Sequence, residues 1–335
     1  MPNFRLSAGW TLVGMALLLH LFTVYAFSRQ PDRLAAFTVL PIWVWGGIGL
    51  SACAMAFYFL RAPLSLVMTA VWALTLLVGA DEARVLAHFG KQAPRPGAPA
   101  AHRGETVMRV LTLNCAGMNF GDPATDIAAW KPDLVLLQDI PPQQIRRFAD
   151  LLYGGRGDFR AHVTRNSGIG VVTRWKIRRE IRNPAMRSQQ VTVELPGGRQ
   201  IEVVNVHLLT AATNLRLWRR DAWREHRVNR AIRVTETATM MQVLEQTTHF
   251  PNTPTILGGD FNAPASDPVH RRLASGFNNT FAAAGTGWGN TFQRRFPILR
   301  IDHVYATRHF TPVRCAVAVT RQSDHRMVVT DLAFP

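Results

Sequence analysis

The first eighty residues constrain the fold most strongly, because they are almost entirely apolar. Three apolar runs follow one another, each near the ~20 residues that a helix needs to cross ~30 Å of hydrocarbon. The runs extend from Gly9 to Phe27, from Leu34 to Leu60 and from Leu64 to Ala80. They predict a membrane anchor of three transmembrane helices over residues 1–90, with a tight turn at residues 61–63.

The three runs contain neither an ion pair nor an acidic side chain. Charged groups inside a membrane mark ion or substrate pathways, so their absence predicts an anchor rather than a transporter. A cleaved signal peptide would explain only the first run, and no small-residue cleavage site follows it closely. The chain is therefore predicted to be an integral, multi-pass membrane protein.

The composition changes after the third run. Residues 91–104 are rich in Pro, Ala and Gly without periodicity, which predicts a linker, and residues 105–335 are predicted to form one soluble domain. The formal net charge is +16, of which +4 (seven Lys/Arg against three Asp/Glu) lies in residues 1–100 and +12 beyond. This excess favours anionic partners: nucleic acid, phosphorylated small molecules or acidic lipid head groups.

Strand-like runs in the soluble part repeatedly end near polar side chains. The predicted strands are Arg109–Asn114, Pro132–Asp139, Gly168–Thr173, Val191–Leu195, Gln200–His207, Thr255–Leu257 and Ile298–Tyr305, with a last pair around residues 323–325. Pro196-Gly197-Gly198 predicts a hairpin between the fourth and fifth of these strands. Helical spacing predicts helices over 142–152 and 214–245, and Asp267-Pro268 predicts the start of a short helix that ends at Gly276.

Eight polar residues at or near strand ends form the candidate site: Asn114, Asp139, His207, Asp260, Asn262, Asp302, Asp324 and His325. Carboxylates and amides are the oxygen ligands that Mg²⁺ prefers. A His beside a carboxylate makes an acid or base that works near neutral pH. Because no Gly-x-Ser-x-Gly elbow is present, these residues favour metal-assisted phosphoester hydrolysis by water over a covalent mechanism.

Seven motifs between about Arg109 and Leu332 occur in the order LTLNCAG, PDLVLLQD, GIGVVT, VNVHL, GGDFNAP, RIDHVY and SDHRMVV. In this respect the chain resembles the endonuclease/exonuclease/phosphatase superfamily, which has the pancreatic-DNase-like fold. The resemblance implies an α/β domain with four layers, an αββα sandwich of two packed sheets with helices outside. It also implies Mg²⁺ or Mn²⁺ as the cofactor.

The resemblance further implies a role for each candidate residue. The residues implied to form the metal site are Asn114, Asp139 and Asp324. The residues implied to be catalytic are His325, Asp302, Asp260, Asn262 and His207. The residues implied to bind substrate are Asn205, Asn262 and His207. The chain departs from the family at Gln138-Asp139, where the family usually has Gln-Glu, so the carboxylate is one methylene shorter.

The predicted activity is hydrolysis of a phosphoester, with a phosphodiester preferred, of nucleic acid or of a phospholipid or inositol-phosphate substrate. The alternative is a non-catalytic, membrane-tethered module that binds anionic lipid or nucleic acid. The predicted partners are an anionic phosphoester substrate and, through three spans, a lipid bilayer; the sequence indicates no protein partner. Substrate identity stays open, because loops determine it.

The side of the membrane is predicted from Lys and Arg near the ends of the runs. With three spans, one side holds Arg29, Arg33, Arg84, Lys91 and Arg95, and the other holds Arg5 and Arg61. Five positive residues against two predict that the hydrolase domain faces the cytoplasm, at a bacterial inner membrane. Three of the five precede a large domain, which can cross a membrane regardless of charge.

Overall fold

The structure is a computed structural model that describes residues 2–99, 101–102, 104–164, 167–182, 186–210 and 216–334. The chain divides into two compact units. The first comprises Met1–Ala87 and Asn214–Arg227, and the second comprises His88–Thr213 and Val228–Pro335.

Apolar helices form the N-terminal part of the first unit. They are α1 (Pro2–Arg29), α2 (Ala35–Thr38), α3 (Ile42–Leu60) and α4 (Pro63–Gly79). Two helices among the described residues, Phe4–Arg29 and Ile42–Leu60, are long and apolar enough to cross a membrane. The third predicted span reaches that length only if Pro63–Gly79 and Asp81–His88, which meet at 74°, count as one span. The three-span anchor therefore stays a prediction.

The second predicted run does not form one helix from Leu34. Pro41 takes an extended conformation (ψ 148°), and α3 begins at the next residue. Proline has no backbone N–H and disfavours helical conformation before it, so the run breaks there. The turn predicted at residues 61–63 is confirmed: Arg61 ends α3 with φ 54°, and Pro63 begins α4.

Two glycines of α3 allow α4 to pack closely against it. A Cβ added to Gly49 would lie 2.2 Å from the Trp72 ring, and one added to Gly46 would lie 2.4 Å from Leu76. Small residues at such contacts are typical of helix pairs in membranes, where packing replaces the hydrophobic effect. The indole N–H of Trp72, which is fully buried, points to the carbonyl of Ala16 at 3.3 Å.

The second unit contains two β-sheets. The first has the order β10-β12-β13-β1-β2-β4-β3 and the second β5-β6-β7-β8-β11-β9. The strands are β1 (Thr106–Asn114), β2 (Leu134–Gln138), β3 (Asp158–Thr164), β4 (Ser167–Thr173), β5 (Lys176–Ile181), β6 (Ser188–Glu194), β7 (Gln200–His207), β8 (Thr255–Asp260), β9 (Asn278–Asn279), β10 (Gly285–Thr286), β11 (Asp302–Ala306), β12 (Thr311–Ala318) and β13 (Met327–Phe334).

Helices cover both sheets, as the αββα expectation requires. The remaining helices are α5 (Ala124–Ala128), α6 (Ile145–Tyr153), α7 (Arg220–Thr247) and α8 (Thr280–Ala284). Ile127 of α5 and Phe148 of α6 are buried in the same cluster as Leu137 of β2. Leu244 of α7 is buried with Leu257 of β8. The four-layer sandwich is thus confirmed.

Central strands were easier to predict than edge strands. The hairpin around Pro196-Gly197-Gly198 is confirmed as the antiparallel pair β6–β7. β3 and β5 were not predicted, and each lies at the end of its sheet. Edge strands expose one side to water, so charged residues interrupt their apolar pattern; β5, for example, reads Lys-Ile-Arg-Arg-Glu-Ile.

Several predicted boundaries differ from the structure by two residues or more. The strand predicted from Ile298 begins only at Asp302. Asp267 caps a helical turn as predicted, but the turn is two 3₁₀ segments, Pro268–Arg271 and Leu273–Ser275, rather than one α-helix. The long helix α7 begins at Arg220, and the predicted start at Asn214 lies outside the described residues.

A buried arginine fastens the segment before β1 to the domain. The Arg109 side chain is 1% exposed and donates to both carboxylate oxygens of Asp331 on β13, at 2.7 and 3.0 Å. Its Nη1 also donates to the carbonyls of Arg95, Gly97 and Trp130. Residues of the predicted linker are therefore held on the second unit rather than free of it.

Candidate functional site

The carboxylate of Asp260 is the centre of the candidate site and lies at the end of β8. β7 and β8 are parallel, and their register places His207 beside Asp260. β8 and β11 are antiparallel, and their register places Asp302 on its other side. His207, Asp260 and Asp302 therefore lie side by side. β7 and β8 end, and β11 begins, at the same end of the second sheet.

Amide groups surround the Asp260 carboxylate, which is 1% exposed. The Asn262 backbone N–H donates to Oδ1 at 2.7 Å, and its side-chain amide lies 3.3 Å from Oδ2. Asn114, at the end of β1 in the other sheet, donates from Nδ2 to Oδ2 at 2.9 Å. Asn262 also donates to the Leu208 carbonyl at 2.9 Å, so its orientation is fixed.

Two imidazoles approach the same carboxylate oxygen. Nε2 of His207 lies 3.7 Å and Nε2 of His325 lies 4.0 Å from Asp260 Oδ2. Nδ1 of His325 is 2.9 Å from Asp302 Oδ2. Because a carboxylate only accepts, Nδ1 carries the proton of this bond, and Nε2 is directed towards Asp260.

The carboxylates around His325 control its protonation. Burial disfavours the charged imidazole, but the charge of Asp302, its hydrogen bond, and the charges of Asp260 and Asp324 outweigh burial and raise the pKa of His325 to about 9. His325 is therefore protonated at neutral pH. The site presents an imidazolium between two carboxylates.

The donor set fits a divalent cation. Ligand atoms of Asp260, Asp302 and His325 lie within 4.8 Å of one another, a spacing that suits a metal ion only when His325 has lost its Nε2 proton. Among the described residues, Oδ1 of Asp302 and Oδ1 of Asp324 are buried without a hydrogen-bond partner. Buried carboxylate oxygens without donors are unfavourable unless a cation compensates them, and oxygen donors suit hard cations.

The predicted metal residues Asn114, Asp139 and Asp324 share no member with this group. Asn114 contacts Asp260 directly. Asp139 is partly exposed, and its carbonyl accepts from Gly117 N at 2.7 Å. The metal roles of Asn114, Asp139 and Asp324 remain predictions.

Asn205 is fully buried and joins the two sheets. Its Nδ2 donates to the carbonyls of Leu137 and Gly170 at 2.9 Å each, and its Oδ1 accepts from Gln138 Nε2 at 2.6 Å. These bonds occupy both amide hydrogens. Asn205 therefore connects the two sheets, and its substrate-binding role stays a prediction.

Two residues that sequence reasoning missed orient the site. Ser323 Oγ donates to the Asn114 carbonyl at 2.6 Å and accepts from the His325 backbone N–H at 3.0 Å. Thr291 Oγ1 accepts from the Asp302 backbone N–H at 3.2 Å. Ser323 begins the SDHRMVV motif, which was a usable signal, whereas Thr291 lies in a segment for which no element was predicted.

A second buried histidine lies next to Asp302 in sequence but contacts different residues. Nε2 of His303 is 3.3 Å and Nε2 of His270 is 3.1 Å from the Ala263 carbonyl, which accepts from both rings. Tyr305 Oη is 2.8 Å from Nδ1 of His270. Burial, His270 and Arg300 lower the pKa of His303 well below its usual value. His303 is therefore neutral.

Comparison with known proteins places this site in a family. Residues 111–325, well over half of the chain, match the model of the Endonuclease/Exonuclease/phosphatase family. No curated protein matches the chain by sequence.

Solved structures share the fold at low sequence identity. An endonuclease/exonuclease/phosphatase from Bacteroides vulgatus aligns with a TM-score of 0.55 and 15% identity, over 69% of this chain and 100% of that one. A mannosyl-6-phosphatase from Bacteroides thetaiotaomicron aligns at 0.53 and 16%, over 68% and 100%. The human Nocturnin catalytic domain, with bound sulfate, aligns at 0.52 and 19%, over 68% and 95%.

Proposed function

Because the chain belongs to the endonuclease/exonuclease/phosphatase family, we propose that it hydrolyses a phosphoester, most simply a phosphodiester, with an activated water. The observation that carries this proposal is the environment of Asp260, whose carboxylate accepts from two amides and faces two imidazoles. A carboxylate held in this way can accept a proton from water while the N–H groups around it bind phosphate oxygens.

The reaction needs one group that accepts a proton from water and another that donates a proton to the leaving oxygen. The site contains both groups. Asp260 and Asn262 orient the water, whose oxygen bonds to phosphorus as the ester bond breaks and whose proton passes to Asp260. The imidazolium of His325, oriented by Asp302, gives a proton to the leaving oxygen, and His207 binds a phosphate oxygen. Since Nε2 of His325 lies 4.0 Å from Asp260 Oδ2, the proton can then return and restore the site.

We propose Mg²⁺ or Mn²⁺ as the cofactor, held by Asp139 and Asp324 together with the amide oxygen of Asn114. The buried, unpartnered Oδ1 of Asp324 and the predominance of oxygen donors support this proposal. When bound, such an ion neutralises charge on the phosphate oxygens. The Asn114 oxygen accepts from Ala116 N at 2.8 Å and keeps a second lone pair for a cation.

We propose nucleic acid or a phospholipid or inositol-phosphate head group as the substrate, because the soluble part carries an excess of +12. The apolar helices support a membrane-anchored enzyme. The cytoplasmic placement of the hydrolase domain is the proposal that the Lys and Arg count favours.

The test uses the full chain purified in detergent micelles. Hydrolysis of bis(4-nitrophenyl) phosphate is measured with Mg²⁺, with Mn²⁺ and with EDTA, and plasmid DNA, sphingomyelin and phosphoinositides are then compared as substrates. We expect EDTA and Asp260→Asn each to abolish turnover. The protein could instead bind these anions but hydrolyse none of them with either metal. That result would contradict the proposal and support the non-catalytic binding module.

Asp139 tests the metal proposal separately. Asp139→Ala should remove activity without changing the unfolding temperature, because the side chain is partly exposed. Asp139→Glu should keep or raise activity, since it restores the reach of the usual glutamate. Near-normal turnover of Asp139→Ala would remove this residue from the site.

A further inference from the structure

A basic cleft of about 670 Å³ lies at the edge of the sandwich, and Asp260 is not among its lining residues. Its lining residues include three arginines, Arg146, Arg160 and Arg182, and one acidic residue, Asp158. Strand β3, which contributes Asp158 and Arg160, is the last strand of its sheet, so the cleft opens to solvent along this edge.

The single carboxylate of the lining is already occupied by donors. Oδ1 of Asp158 accepts from Phe159 N at 2.8 Å and from Arg160 Nη1 at 2.7 Å. Its Oδ2 accepts from Ile177 N at 2.9 Å. These donors offset the negative charge of Asp158, so Asp158 repels an anion in the cleft only weakly.

Arg146 is the guanidinium that is most available to a ligand. It is exposed and lies over the Phe159 ring, 5.6 Å from the ring centroid. Within the described part of the chain, no carboxylate lies at ion-pair distance from it. Arg182 pairs with Glu180 at 2.7 Å, outside the lining. Because Arg160 pairs with Asp158 and Arg182 pairs with Glu180, the excess positive charge of the lining is that of Arg146.

The strand register places the cleft near the proposed metal site. Gly170 of β4 pairs with Leu137 of β2 on one side and with Ala161 of β3, a lining residue, on the other. Two strand spacings separate Leu137 from Ala161, roughly 10 Å. Leu137 lies two residues before Asp139, and Pro142, which follows Asp139 by three residues, also lines the cleft.

We propose that this cleft is a second anion subsite, which binds a phosphate group of the substrate other than the one that is hydrolysed. The inference rests on the proposed phosphoester hydrolysis and deepens it, because it selects substrates that carry several phosphates. Guanidinium groups bind phosphate oxygens bidentately, and Phe159 under Arg146 restricts that side chain without neutralising it. An oligonucleotide and a polyphosphorylated small molecule share this chemistry.

The experiment compares Arg146→Gln with Arg147→Gln in the full chain. Both residues are exposed on α6 and both changes remove one positive charge, but Arg147 pairs with Asp122 and does not line the cleft. Binding of fluorescein-labelled dT8 is followed by anisotropy in EDTA, and inositol hexakisphosphate competes with it. In parallel, the KM of bis(4-nitrophenyl) phosphate, which has one phosphate, is measured with Mg²⁺.

We expect Arg146→Gln to weaken binding of dT8, of inositol hexakisphosphate or of both by about 3- to 10-fold. The slope of log Kd against log salt for dT8 should fall by about one, while the KM of the small diester stays unchanged. The probe that responds identifies the kind of substrate that reaches the cleft.

Equal binding of both probes by the Arg146→Gln and Arg147→Gln proteins would overturn the subsite. Because the anisotropy arm needs no turnover, it decides this point even if the small diester is not hydrolysed. If the wild-type chain does not hydrolyse bis(4-nitrophenyl) phosphate, the proposed function fails but the proposed subsite does not. Arg146→Glu should weaken binding more than Arg146→Gln, and an unchanged unfolding temperature shows that each variant is folded.

Discussion

Two buried histidines on either side of Asp302 have opposite properties. His325 packs against the side chain of Asp302 and has a pKa raised to about 9. His303 follows Asp302 on β11 and lies against His270 and the Ala263 carbonyl, with a pKa well below its usual value. Both are at least nine-tenths buried. Burial therefore does not distinguish the imidazole of the proposed proton donor from the structural one.

The neighbours of each ring account for the difference. Carboxylates surround His325, whereas His303 is near a second histidine and Arg300. Successive side chains of a strand point to opposite faces, so His303 points away from the face of β11 on which Asp302 contacts His325. A substitution at each position separates the two roles.

The largest effect is expected at His325. His325→Gln should lower kcat/KM for a small diester by about 10²–10⁴-fold, because it removes the proton donor directed at the leaving oxygen. The matched variant His303→Gln should change kcat/KM only a few-fold, since its ring contacts the Ala263 carbonyl and not the reacting atoms. Comparable losses in both variants would contradict the distinction.

Substitution of Asp302 is expected to lower kcat/KM less than substitution of His325. A double variant tests whether the two side chains act together. Asp302→Asn keeps the side-chain shape but removes the charge that holds His325 protonated. The double variant Asp302→Asn, His325→Gln should be little slower than His325→Gln alone, because the two groups act as a unit. Strictly multiplicative losses in kcat would show that they act independently.

The smallest effect is a pH dependence of stability with opposite slopes for the two rings. The folded pKa of His325 lies above the unfolded value of ~6.5, so its stabilisation is complete below pH ~6.5 and is lost as pH rises towards about 9. The folded pKa of His303 lies below ~6.5, so the unfolded chain binds more protons in acid and stability falls as pH decreases below ~6.5.

Urea unfolding of the wild-type chain and the two Gln variants measures these slopes. His325→Gln should reduce the loss of stability between pH 6.5 and about 9. His303→Gln should reduce the loss of stability below pH ~6.5. A wild-type midpoint that rises steadily from pH 6.5 to 9 would be inconsistent with a protonated His325.

The sequence allowed the residues of the Asp260 cluster to be predicted, because they depend on short-range patterns. An apolar run followed by a polar residue indicates a buried strand and its end, and β7 and β8 run in parallel, so His207 and Asp260 meet. Asn114 reaches the same carboxylate across the sandwich because β1 also ends there.

The supporting contacts could not be predicted in the same way. Asn205 and Gln138 are 67 positions apart, and Arg109 and Asp331 are 222 apart; nothing local in the sequence shows that either pair meets. Asp302 begins its strand four residues later than the apolar pattern predicted. The order of the strands in space determines these contacts, and a local pattern does not contain that order.

The position of β13 has a consequence for how the chain is made. Although it is the last strand in sequence, β13 lies inside its sheet between β12 and β1, and the β1–β13 register joins Thr106 to Phe334. During synthesis the first sheet cannot close until this strand has left the ribosome, and such long-range pairing is slow. His325 precedes β13 by two residues, so the site cannot be complete before this last part of the domain has been synthesised. The apolar helices precede the domain in the chain, so they leave the ribosome before the residues of the candidate site can come together.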